Sequence, residues 1–417
     1  MIREQTDVLI VGAGPTGLAL AVALQQAGID HLVIDKLEQG HNTSRAAVVH
    51  AHTLEMLDRL GVAAPLGGEG IALHDFTVRD RDRALLRVEF DQLPSAFRHI
   101  LMVPQNITES VLHDRLVALG GRVHSGRSAL RAEAHGDGAR VTISDESGER
   151  MIHARYVVGA DGMHSVVREA AGIGFQGEAY GESFLLADVE MDWPLRASEV
   201  SLYFSPAGLV VVAPLPGGTF RIVATVSQAP EQPGIADIQQ LLDARGPTGS
   251  RAMVRRVVWG SRFRVHHRLA DRYPAGPFLL IGDAAHVHSP AGGQGMNTGL
   301  VDAVVLGEAL IRVIGRGEPA SLLDDYATLR RAAAGQVLAL ASRLTRIATM
   351  RSRLLRIARN LMLRLLDRLP RFKRGLSLGL SGLSRRKLSK LPIAAKSPAV
   401  EMAALRPMSR KPSIAPC

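Results

Sequence analysis

A glycine-rich turn near the start of the chain constrains the fold more than any other feature of this sequence. The run Asp7–Val11 predicts a buried strand, and Gly12-Ala13-Gly14-Pro15-Thr16-Gly17 leads from it into a helical pattern that extends to Ala27. A second apolar run, His31–Ile34, ends in Asp35. These segments together predict a βαβ unit of about 30 residues. Such an opening is typical of a Rossmann-like α/β domain.

Each glycine of this turn has a physical reason to be there. Gly12 allows a tight turn, Gly14 lets the backbone approach a pyrophosphate, and Gly17 lets helix and strand pack closely. Phosphates then bind at the helix N-terminus, where free N–H groups and the helix dipole favour negative charge. Asp35 follows Gly17 by 18 residues, which is about where a ribose-binding carboxylate belongs. The motif predicts a dinucleotide site but does not distinguish NAD from FAD.

Two later segments repeat this pattern of a strand, a glycine-containing corner and a carboxylate. The strand ending at Gly159 leads into Asp161-Gly162, and the strand Phe278–Ile281 leads into Gly282-Asp283. Asp283 therefore ends a strand, where its carboxylate can accept hydrogen bonds from the ribityl hydroxyls of a long cofactor.

The stretch that follows Asp283 is rich in glycine from Ser289 to Gly299. Its backbone can approach a flat ring, and the predicted helix from about Thr298 to Val313 aims its positive end at the same place. That arrangement would stabilise the negative charge of a reduced flavin. A simple NAD dehydrogenase has no use for a second cradle of this form, so the sequence favours FAD.

With these three motifs in this order, the chain resembles the flavoprotein aromatic hydroxylases, the group that includes p-hydroxybenzoate and phenol hydroxylases. The resemblance covers roughly residues 8–329. It implies an α/β fold in which a Rossmann-like FAD-binding domain is interleaved with a β-sheet substrate domain, followed by C-terminal helices. It also implies a monooxygenase in which NAD(P)H reduces FAD, O2 adds to it, and the flavin hydroperoxide hydroxylates an aromatic substrate, phenolic or polycyclic.

The same resemblance assigns cofactor-binding residues. Arg45 would lie at the pyrophosphate, whereas Gln105 and Asp283 would hold the ribityl chain. Asp161 belongs to a motif associated with both FAD and the passing NADPH, and Met296-Asn297 would line the isoalloxazine edge. The predicted cofactor set comprises Gly12, Gly14, Pro15, Thr16, Gly17, Asp35, Lys36, Arg45, Gln105, Asp161, Asp283, Pro290, Gly293, Gly295, Met296 and Asn297.

Two residues are predicted on the substrate side. Tyr203, in the strand Val200–Phe204, matches the approximate place of an active-site tyrosine in p-hydroxybenzoate hydroxylase, and Arg221, in the strand Phe220–Val226, falls near a flavin-side arginine. A side chain at such a place can activate a phenol by accepting its proton. The alternative for Tyr203 is a ring that packs within its sheet.

The chain departs from the family pattern at several points, among them Val304-Val305-Leu306, which replaces a more usual Asn-Leu pairing and indicates repacking of that helix. Asp35 stands where the family more often has glutamate. Its side chain is one methylene shorter, so its contact with the ribose is expected to be weaker or water-mediated. His52 stands where close relatives often have arginine. The thioredoxin-like C-terminal domain of the phenol hydroxylase branch has no counterpart in the sequence given.

Strand-rich and helix-rich stretches predict how the domains are interleaved. Turn signals between strands from Phe184 to Val226 indicate one sheet, whereas Leu340–Leu369 predicts a single helix that ends at Pro370. The predicted division is 1–73, 101–180 and 272–340 for the FAD-binding domain, 74–100 and 181–271 for the substrate domain, 341–391 for a basic helical region, and 392–417 for a disordered tail.

Charge is unevenly distributed along the chain. The formal net charge is +10, but the part from Ser342 onward holds 19 Lys and Arg against two acidic residues, so the preceding body carries −7. An acidic body excludes a nucleic-acid-binding domain as a whole. The Arg- and Leu-rich segment 351–373 suggests peripheral contact with an anionic membrane, although arginines around the helical wheel favour packing against the body.

Other features limit the chemistry and the compartment. The single cysteine, Cys417, excludes an internal disulfide and a cysteine metal site, and no His, Asp and Glu cluster has metal-ligand spacing. There is no apolar run of about 18–20 residues and the first strand leaves no room for a secretory signal, so we predict a cytoplasmic protein, monomeric or homodimeric. The expected partners are a small aromatic substrate and O2, without nucleic acid.

Alternatives within the enzymes and outside them remain open. A prenyl-type reductase or an epoxidase on the same scaffold shares the outer motifs. A halogenase is disfavoured because Trp193 and Trp259 do not form the Trp-x-Trp-x-Ile-Pro stretch expected of one. A scaffolding protein that keeps FAD structurally is the alternative outside enzymes.

Overall fold

The computed structural model describes residues 3–38, 46–145, 148–226, 230–290, 292–348, 350 and 352–393. Arg45 and the part of the predicted tail from residue 394 lie outside the described residues. The chain begins with the predicted unit β1 (Gln5–Val11), α1 (Pro15–Gln26) and β2 (His31–Ile34).

The remaining elements follow in two groups. The first consists of β3 (Val48–Val49), α2 (Ala51–Asp58), α3 (Ala63–Glu69), β4 (Ile71–Leu73), β5 (Asp75–Asp80), β6 (Arg83–Glu89), β7 (Ile100–Met102), α4 (Gln105–Ala118), β8 (Val123–His124), β9 (Ser128–His135), β10 (Gly138–Asp145), β11 (Gly148–Gly159) and α5 (Val166–Ala170). The second consists of β12 (Phe175–Asp192), β13 (Glu199–Ser205), β14 (Gly208–Leu215), β15 (Thr219–Val226), α6 (Ile235–Arg245), β16 (Met253–Ala270), β17 (Pro274–Ala275), β18 (Phe278–Leu280), β19 (His286–Val287), α7 (Gly295–Leu310), α8 (Leu322–Ala348), α9 (Arg353–Asp367) and α10 (Pro370–Leu380).

The first sheet is the Rossmann-like part of the molecule. Its strands run in the order β17-β18-β11-β1-β2-β8, and the neighbours from β18 to β8 are parallel. Strands β10 and β9 extend it by antiparallel pairing beside β11. Apolar side chains of β1, β2, β11 and β18 form one buried core with helices α1 and α7. Parallel strands covered in this way read as continuous apolar runs, which is why the sequence reveals them.

The second sheet is interleaved with the first, as predicted. Its order is β19-β16-β12-β15-β14-β13-β5-β6, so β5 and β6 join strands that come more than a hundred residues later. One face packs against α6, and the other face contributes to a core shared with α8, α9 and α10. The predicted fold class is therefore confirmed, whereas the residue boundaries of the domains stay a prediction.

A small third sheet joins the two larger parts. It has the order β3-β7-β4. Side chains of successive residues on a strand point to opposite faces, and here Leu101 packs into the core of the first sheet while Ile100 and Met102 pack into the core of the second. This sheet therefore fixes how the two parts lie relative to each other.

The predicted helix Leu340–Leu369 is wrong as a single element. Helix α8 already begins at Leu322 and ends at Ala348, and α9 starts anew after Ser352, whose backbone is extended. Pro370 does not simply end a helix but occupies the first position of α10, where its missing N–H costs nothing. None of the described helices is both long and apolar enough to span a lipid bilayer.

Candidate active site

The three predicted corners meet at one edge of the first sheet. The backbone N–H of Gly12 donates to the Ile34 carbonyl at 2.8 Å, and that of Ala160 donates to the Val11 carbonyl at 2.8 Å. The Ile281 N–H donates to the Gly159 carbonyl at 3.1 Å. Because these bonds lie at the carboxyl ends of parallel strands, the corners line a common crevice, which is where open α/β sheets bind their ligands.

At the first corner, Gly12 and Gly17 have no room for a side chain. Gly12 has φ +106°, and a Cβ there would lie 2.4 Å from the Ala160 carbonyl oxygen. A Cβ on Gly17 would lie 1.9 Å from the Gly12 carbonyl oxygen. Gly14 precedes α1 with extended backbone, and Pro15 takes its first position. The N-terminus of α1 is therefore a bare cradle of backbone N–H groups, which fits the pyrophosphate of a dinucleotide.

Asp35 holds the shape of this cradle. Its Oδ2 accepts a hydrogen bond from the Ala13 N–H at 2.6 Å, and its Oδ1 accepts one from the Leu37 N–H at 2.8 Å. Lys36 is exposed beside it. The carboxylate thus lies at the end of β2 next to the glycine turn, where the ribose contact is predicted.

The first turn of α1 also packs against the third corner, through contacts that the sequence analysis missed. A Cβ on Gly282 would lie 2.9 Å from the Thr16 Oγ1, and a Cβ on Gly299, in α7, would lie 2.5 Å from the same atom. Gly282 has φ +59°, a conformation that favours glycine. The only sequence signal for Gly299 is its place in the glycine-rich stretch.

The second corner contains an unsatisfied carboxylate oxygen. Oδ2 of Asp161 accepts a hydrogen bond from the Val166 N–H at 2.8 Å, while Oδ1 is buried without a hydrogen-bond partner among the described residues. Burial raises the pKa of the Asp161 carboxyl above its ordinary value. Arg168 ties this corner to the third one, because its guanidinium donates to the Met163 and Ala284 carbonyls. A buried, unpartnered oxygen fits a site that binds a hydrogen-bond donor of a ligand.

The third corner carries Asp283, just after the end of β18. Gly282–Ala284 form a single 3-10 turn after β18, and the Asp283 side chain is exposed. An exposed carboxylate at the end of this strand fits the predicted contact with ribityl hydroxyls.

Replacing Asp283 by alanine should weaken FAD binding by about 10- to 100-fold, because hydrogen bonds to a charged group are stronger than those between neutral groups. FAD binding to the apoprotein, followed by quenching of flavin fluorescence, measures the change. Asp324→Ala is the matched control, because Asp324 is also exposed but lies in the first turn of α8. Equal affinities of the two variants would contradict the assignment.

The predicted ring loop is held by the side chain of Asn297. Its Oδ1 accepts a hydrogen bond from the His50 N–H at 2.8 Å, and its Nδ2 donates to the carbonyls of Val48 and Gly293 at 2.9 and 2.7 Å. A Cβ on Gly293 would lie 2.2 Å from Val48. The loop is therefore fixed against β3, and the side chain of Asn297 positions backbone.

Helix α7 begins at Gly295, three residues before the predicted start near Thr298. In this first turn the Thr298 N–H donates to the Gln294 carbonyl at 2.9 Å, and the side chain of Asn297 holds the turn against β3. Met296 is half-buried in this first turn, and Pro290 lies at the start of the loop. The positive end of α7 is thus formed by the glycine-rich loop itself.

Gln105 and Arg221 meet at the backbone of Ala46. Oε1 of Gln105 accepts a hydrogen bond from the Ala46 N–H at 3.3 Å, and the guanidinium of Arg221 donates to the Ala46 carbonyl at 2.8 Å. Arg221 also forms a bidentate pair with Asp188, with two N–O distances of 2.7 Å. These contacts join the segment after Arg45 to the substrate sheet.

The structure does not bring Tyr203 to Arg221. Tyr203 is paired with Val210, whereas Arg221 is paired with Ala213, which points to the opposite face of the sheet. Tyr203 is fully buried in the core beneath α6, and its ring makes an edge contact with Trp193 at 6.3 Å between centroids. Burial raises the pKa of its phenol. This position supports the packing alternative for Tyr203.

The face that carries Arg221 is otherwise apolar near this residue. Leu202, Val211 and Val223 lie side by side on β13, β14 and β15 and are half-buried. An apolar row next to one ion pair can accept a flat hydrophobic molecule and orient it by a polar group.

A buried ionic cluster beneath the third corner was missed by sequence reasoning. Asp302 is fully buried, and its oxygens lie 2.6 Å from the His286 Nε2 and 2.7 Å from the Arg330 Nε. It also accepts a hydrogen bond from the Gly282 N–H at 3.3 Å. Burial alone would raise the pKa of Asp302, but the charges of Arg330 and His286 hold it below its ordinary value. No local pattern links Asp302 to Arg330, which follows 28 residues later.

The last described segment closes the rear of the ring loop. The guanidinium of Arg385 donates to the Gln294 Oε1 at 2.6 Å, and the Gln294 Nε2 donates to the Leu380 carbonyl at 2.9 Å. Within the described part of the chain, no carboxylate pairs with Arg385, and burial lowers its pKa to about 10. A buried positive charge therefore lies directly behind the N-terminus of α7.

His50 makes the same region sensitive to acid. Its imidazole is buried with Nε2 3.0 Å from the Gly292 carbonyl, and burial together with the charge of Arg385 lowers its pKa from 6.5 to about 4. The unfolded chain then binds a proton that the folded chain does not, so stability falls as the pH drops from about 6.5 towards 4, by up to about 3 kcal/mol.

Urea unfolding of the wild type and of His50→Gln between pH 7 and pH 4.5 tests this sensitivity. We expect the variant, which keeps a donor for Gly292, to lose less of its free energy of unfolding over this range. Parallel pH profiles of the two proteins would show that His50 binds its proton equally well in the folded and the unfolded chain.

Comparison with known proteins identifies the group to which the chain belongs. Residues 5–341, most of the chain, match the family described as the FAD binding domain. The chain belongs to this family. The predicted recognition and the predicted FAD cofactor are thereby confirmed.

The relatives of this FAD-binding family member are monooxygenases. The chain is 34% identical to 6-methylpretetramide 4-monooxygenase of Streptomyces rimosus over 388 residues, which are 91% of this chain and 69% of that protein. It is 34% identical to pentachlorophenol 4-monooxygenase of Sphingobium chlorophenolicum over 338 residues, 79% of this chain and 63% of the relative. The chain thus spans about two thirds of the length of these relatives. The predicted enzyme class is confirmed at the level of the family.

A solved structure agrees with these relatives. The OxyS anhydrotetracycline hydroxylase of Streptomyces rimosus superposes with a TM-score of 0.77 at 31% identity, covering 94% of this chain and 78% of that one. Among the residues that the structure describes, no three His, Cys, Asp or Glu side chains are grouped to hold a metal ion.

Proposed function

We propose that this FAD-binding protein is an NAD(P)H-dependent monooxygenase that hydroxylates an aromatic substrate, phenolic or polycyclic. One observation carries the proposal: Arg221, on the substrate sheet, donates to the Ala46 carbonyl beside Gln105, and an apolar row lies on the same face of that sheet. The names of the relatives, which act on pentachlorophenol and on 6-methylpretetramide, support the substrate class.

Bound FAD would supply the redox chemistry of a monooxygenase, in which NAD(P)H provides two electrons, one atom of O2 enters the substrate and the other leaves as water. The residues of the chain bind and orient. The N-terminus of α1 binds the pyrophosphate, Asp35 the ribose and Asp283 the ribityl chain. The N-terminus of α7, with Arg385 behind it, would provide positive potential next to the place predicted for the flavin ring.

Arg221 is proposed as the residue that orients the substrate side of the site. Its pairing with Asp188 fixes the guanidinium, and its bond to the Ala46 carbonyl connects the substrate sheet to the segment beside Gln105. No buried histidine or tyrosine is needed for the oxygen transfer itself, because the cofactor supplies that chemistry.

The experiment that tests the proposal is oxygen uptake by the FAD-loaded protein with NADPH and a panel of phenols. We expect at least one phenol to accelerate reduction of the flavin in stopped-flow absorbance and to consume O2 in proportion to hydroxylated product. A reductase of the prenyl type would oxidise NADPH with its organic substrate and consume no O2 stoichiometrically, and that result would overturn the proposal.

The cytoplasmic location and the choice between monomer and homodimer stay predictions, as does the preference between NADH and NADPH. Size-exclusion chromatography and initial rates with each nucleotide decide the last two.

A further inference from the structure

Helix α9 exposes an unusual number of large apolar side chains. Seven of them, on the helix and at its exit, are 46 to 78% exposed. They are Leu354, Leu355, Ile357, Leu361, Met362, Leu365 and Leu369. Single exposed apolar residues are normal on protein surfaces, but a continuous set indicates an interaction site. Packing against the body, which the sequence favoured, accounts for the other side of this helix only.

The other side of α9 is firmly attached to the second sheet. The guanidinium of Arg359 lies 4.5 Å above the Phe204 ring and donates to the Ile347 carbonyl. The Asn360 Nδ2 donates to Asp80 at 2.7 Å, and Asp367 accepts a hydrogen bond from the Arg87 N–H at 2.9 Å. The helix therefore has a fixed orientation, and its apolar side is a preformed outward face. We call these seven residues the α9 face.

The charged side chains beside the α9 face are basic. Arg364 and Arg368 follow Leu361 and Leu365 at helical spacing, so they border the face along one flank. Arg353, Arg371 and Arg374 are also exposed nearby. The acidic residue of this helix, Asp367, is turned towards the Arg87 N–H and Lys373. None of the five exposed arginines forms an ion pair with a described residue.

We propose that the α9 face docks the protein on the surface of an anionic membrane. A helix with leucines on one side and arginines along its flank lies in the interface, with apolar side chains among acyl chains and guanidinium groups at the phosphates. With 15 residues and arginines within it, α9 is too short to cross the bilayer.

The charge pattern favours lipid over a second copy of the chain. Pairing with a second copy would place the basic flanks of two α9 faces in one interface, because both copies carry the same exposed arginines. Like charges placed together oppose association. An anionic lipid surface instead provides acyl chains for the exposed leucines and phosphates for the arginines.

Co-sedimentation of the full FAD-loaded chain with vesicles tests the proposal. The vesicles are phosphatidylcholine alone and phosphatidylcholine mixed with phosphatidylglycerol, at low and high salt. The test variants are Leu361→Glu with Leu365→Glu, and Arg364→Gln with Arg368→Gln. The matched control is Val117→Glu with Val258→Glu, because both valines are about half exposed and lie on α4 and β16. Flavin content and circular dichroism verify folding of each protein.

We expect the wild type and the valine control to sediment with the anionic vesicles only, and less at high salt. Both test variants should lose about tenfold or more in the bound-to-free ratio. Absence of wild-type binding would overturn the proposal, and so would undiminished binding of the leucine variant. A wild-type dimer that becomes a monomer in the leucine variant, without vesicle binding, would assign the face to a second copy. Catalytic turnover plays no part in these readouts, so the result is independent of the proposed reaction.

Discussion

Gly17→Ala is expected to yield protein without bound FAD and with a free energy of unfolding lowered by about 3 kcal/mol or more. The added methyl group would lie 1.9 Å from the Gly12 carbonyl oxygen and 3.3 Å from the Ala160 side chain. Both neighbours belong to the crevice itself, and the nearer one is backbone, so relief requires a shift of the turn or of α1. Either shift moves the N–H groups that the pyrophosphate would contact.

Flavin absorbance of the purified protein and urea unfolding of the apoprotein measure the two effects separately. Gly335→Ala is the control, because Gly335 lies inside α8 and an added methyl group would meet nothing within 4 Å among the described residues. Alanine in a helix interior is favoured over glycine by about 0.5–1 kcal/mol, so this variant should be slightly more stable. It should also retain its full content of FAD. Retention of FAD and stability by Gly17→Ala would show that the crevice is not the binding site we assign.

Asp302→Asn should destabilise the chain by about 3–5 kcal/mol, the range for removing one partner of a buried ion pair. The change leaves the buried guanidinium of Arg330 without its carboxylate and weakens the bond that fixes the Gly282 N–H. The third corner should loosen together with the core beneath it. We therefore expect a lower urea midpoint and weaker retention of FAD in the same variant.

Two further variants identify the cause of that loss. Glu308→Gln lies on the same helix, but its pair with Arg59 is partly exposed, so the expected cost is below about 1 kcal/mol. Asp302→Leu combined with Arg330→Met removes both charges and should recover part of the stability, since a buried pair is often replaceable by apolar side chains. If this double variant is less stable than Asp302→Asn, shape and not charge determines the effect.

The fold and the three corners could be predicted because the signals for them are local. A buried parallel strand followed by glycine and a carboxylate can be recognised within about ten residues, because each glycine is required by a close backbone contact nearby. The interleaving of β5 and β6 with later strands came from the resemblance to a family. The predicted start of α7 was three residues too late, and its first turn is held against β3 by the side chain of Asn297, a contact between residues far apart in the sequence.

Other parts of the site depend on contacts between residues far apart in the sequence, and no local sequence pattern predicts these contacts. The sequence could not show that Tyr203 and Arg221 lie on opposite faces of their sheet. Apolar residues pack on both faces, so the alternation of apolar and polar residues does not reveal the face to which a residue points. The triad of His286, Asp302 and Arg330 joins residues from three elements. For α9, the sequence showed the arginines and leucines, but only the tertiary structure shows which side is left uncovered.

The contacts of Arg385 have a consequence for how the two ends of the chain depend on each other. The pyrophosphate cradle is built from the first twenty residues, whereas the wall behind the ring loop comes from residues 380–389, through the bonds of Leu380, Arg385 and Ser389. The front and the rear of the proposed flavin pocket therefore come from segments that lie far apart in the sequence. Removal of this short stretch would expose the rear of the ring loop, although it leaves every glycine corner intact.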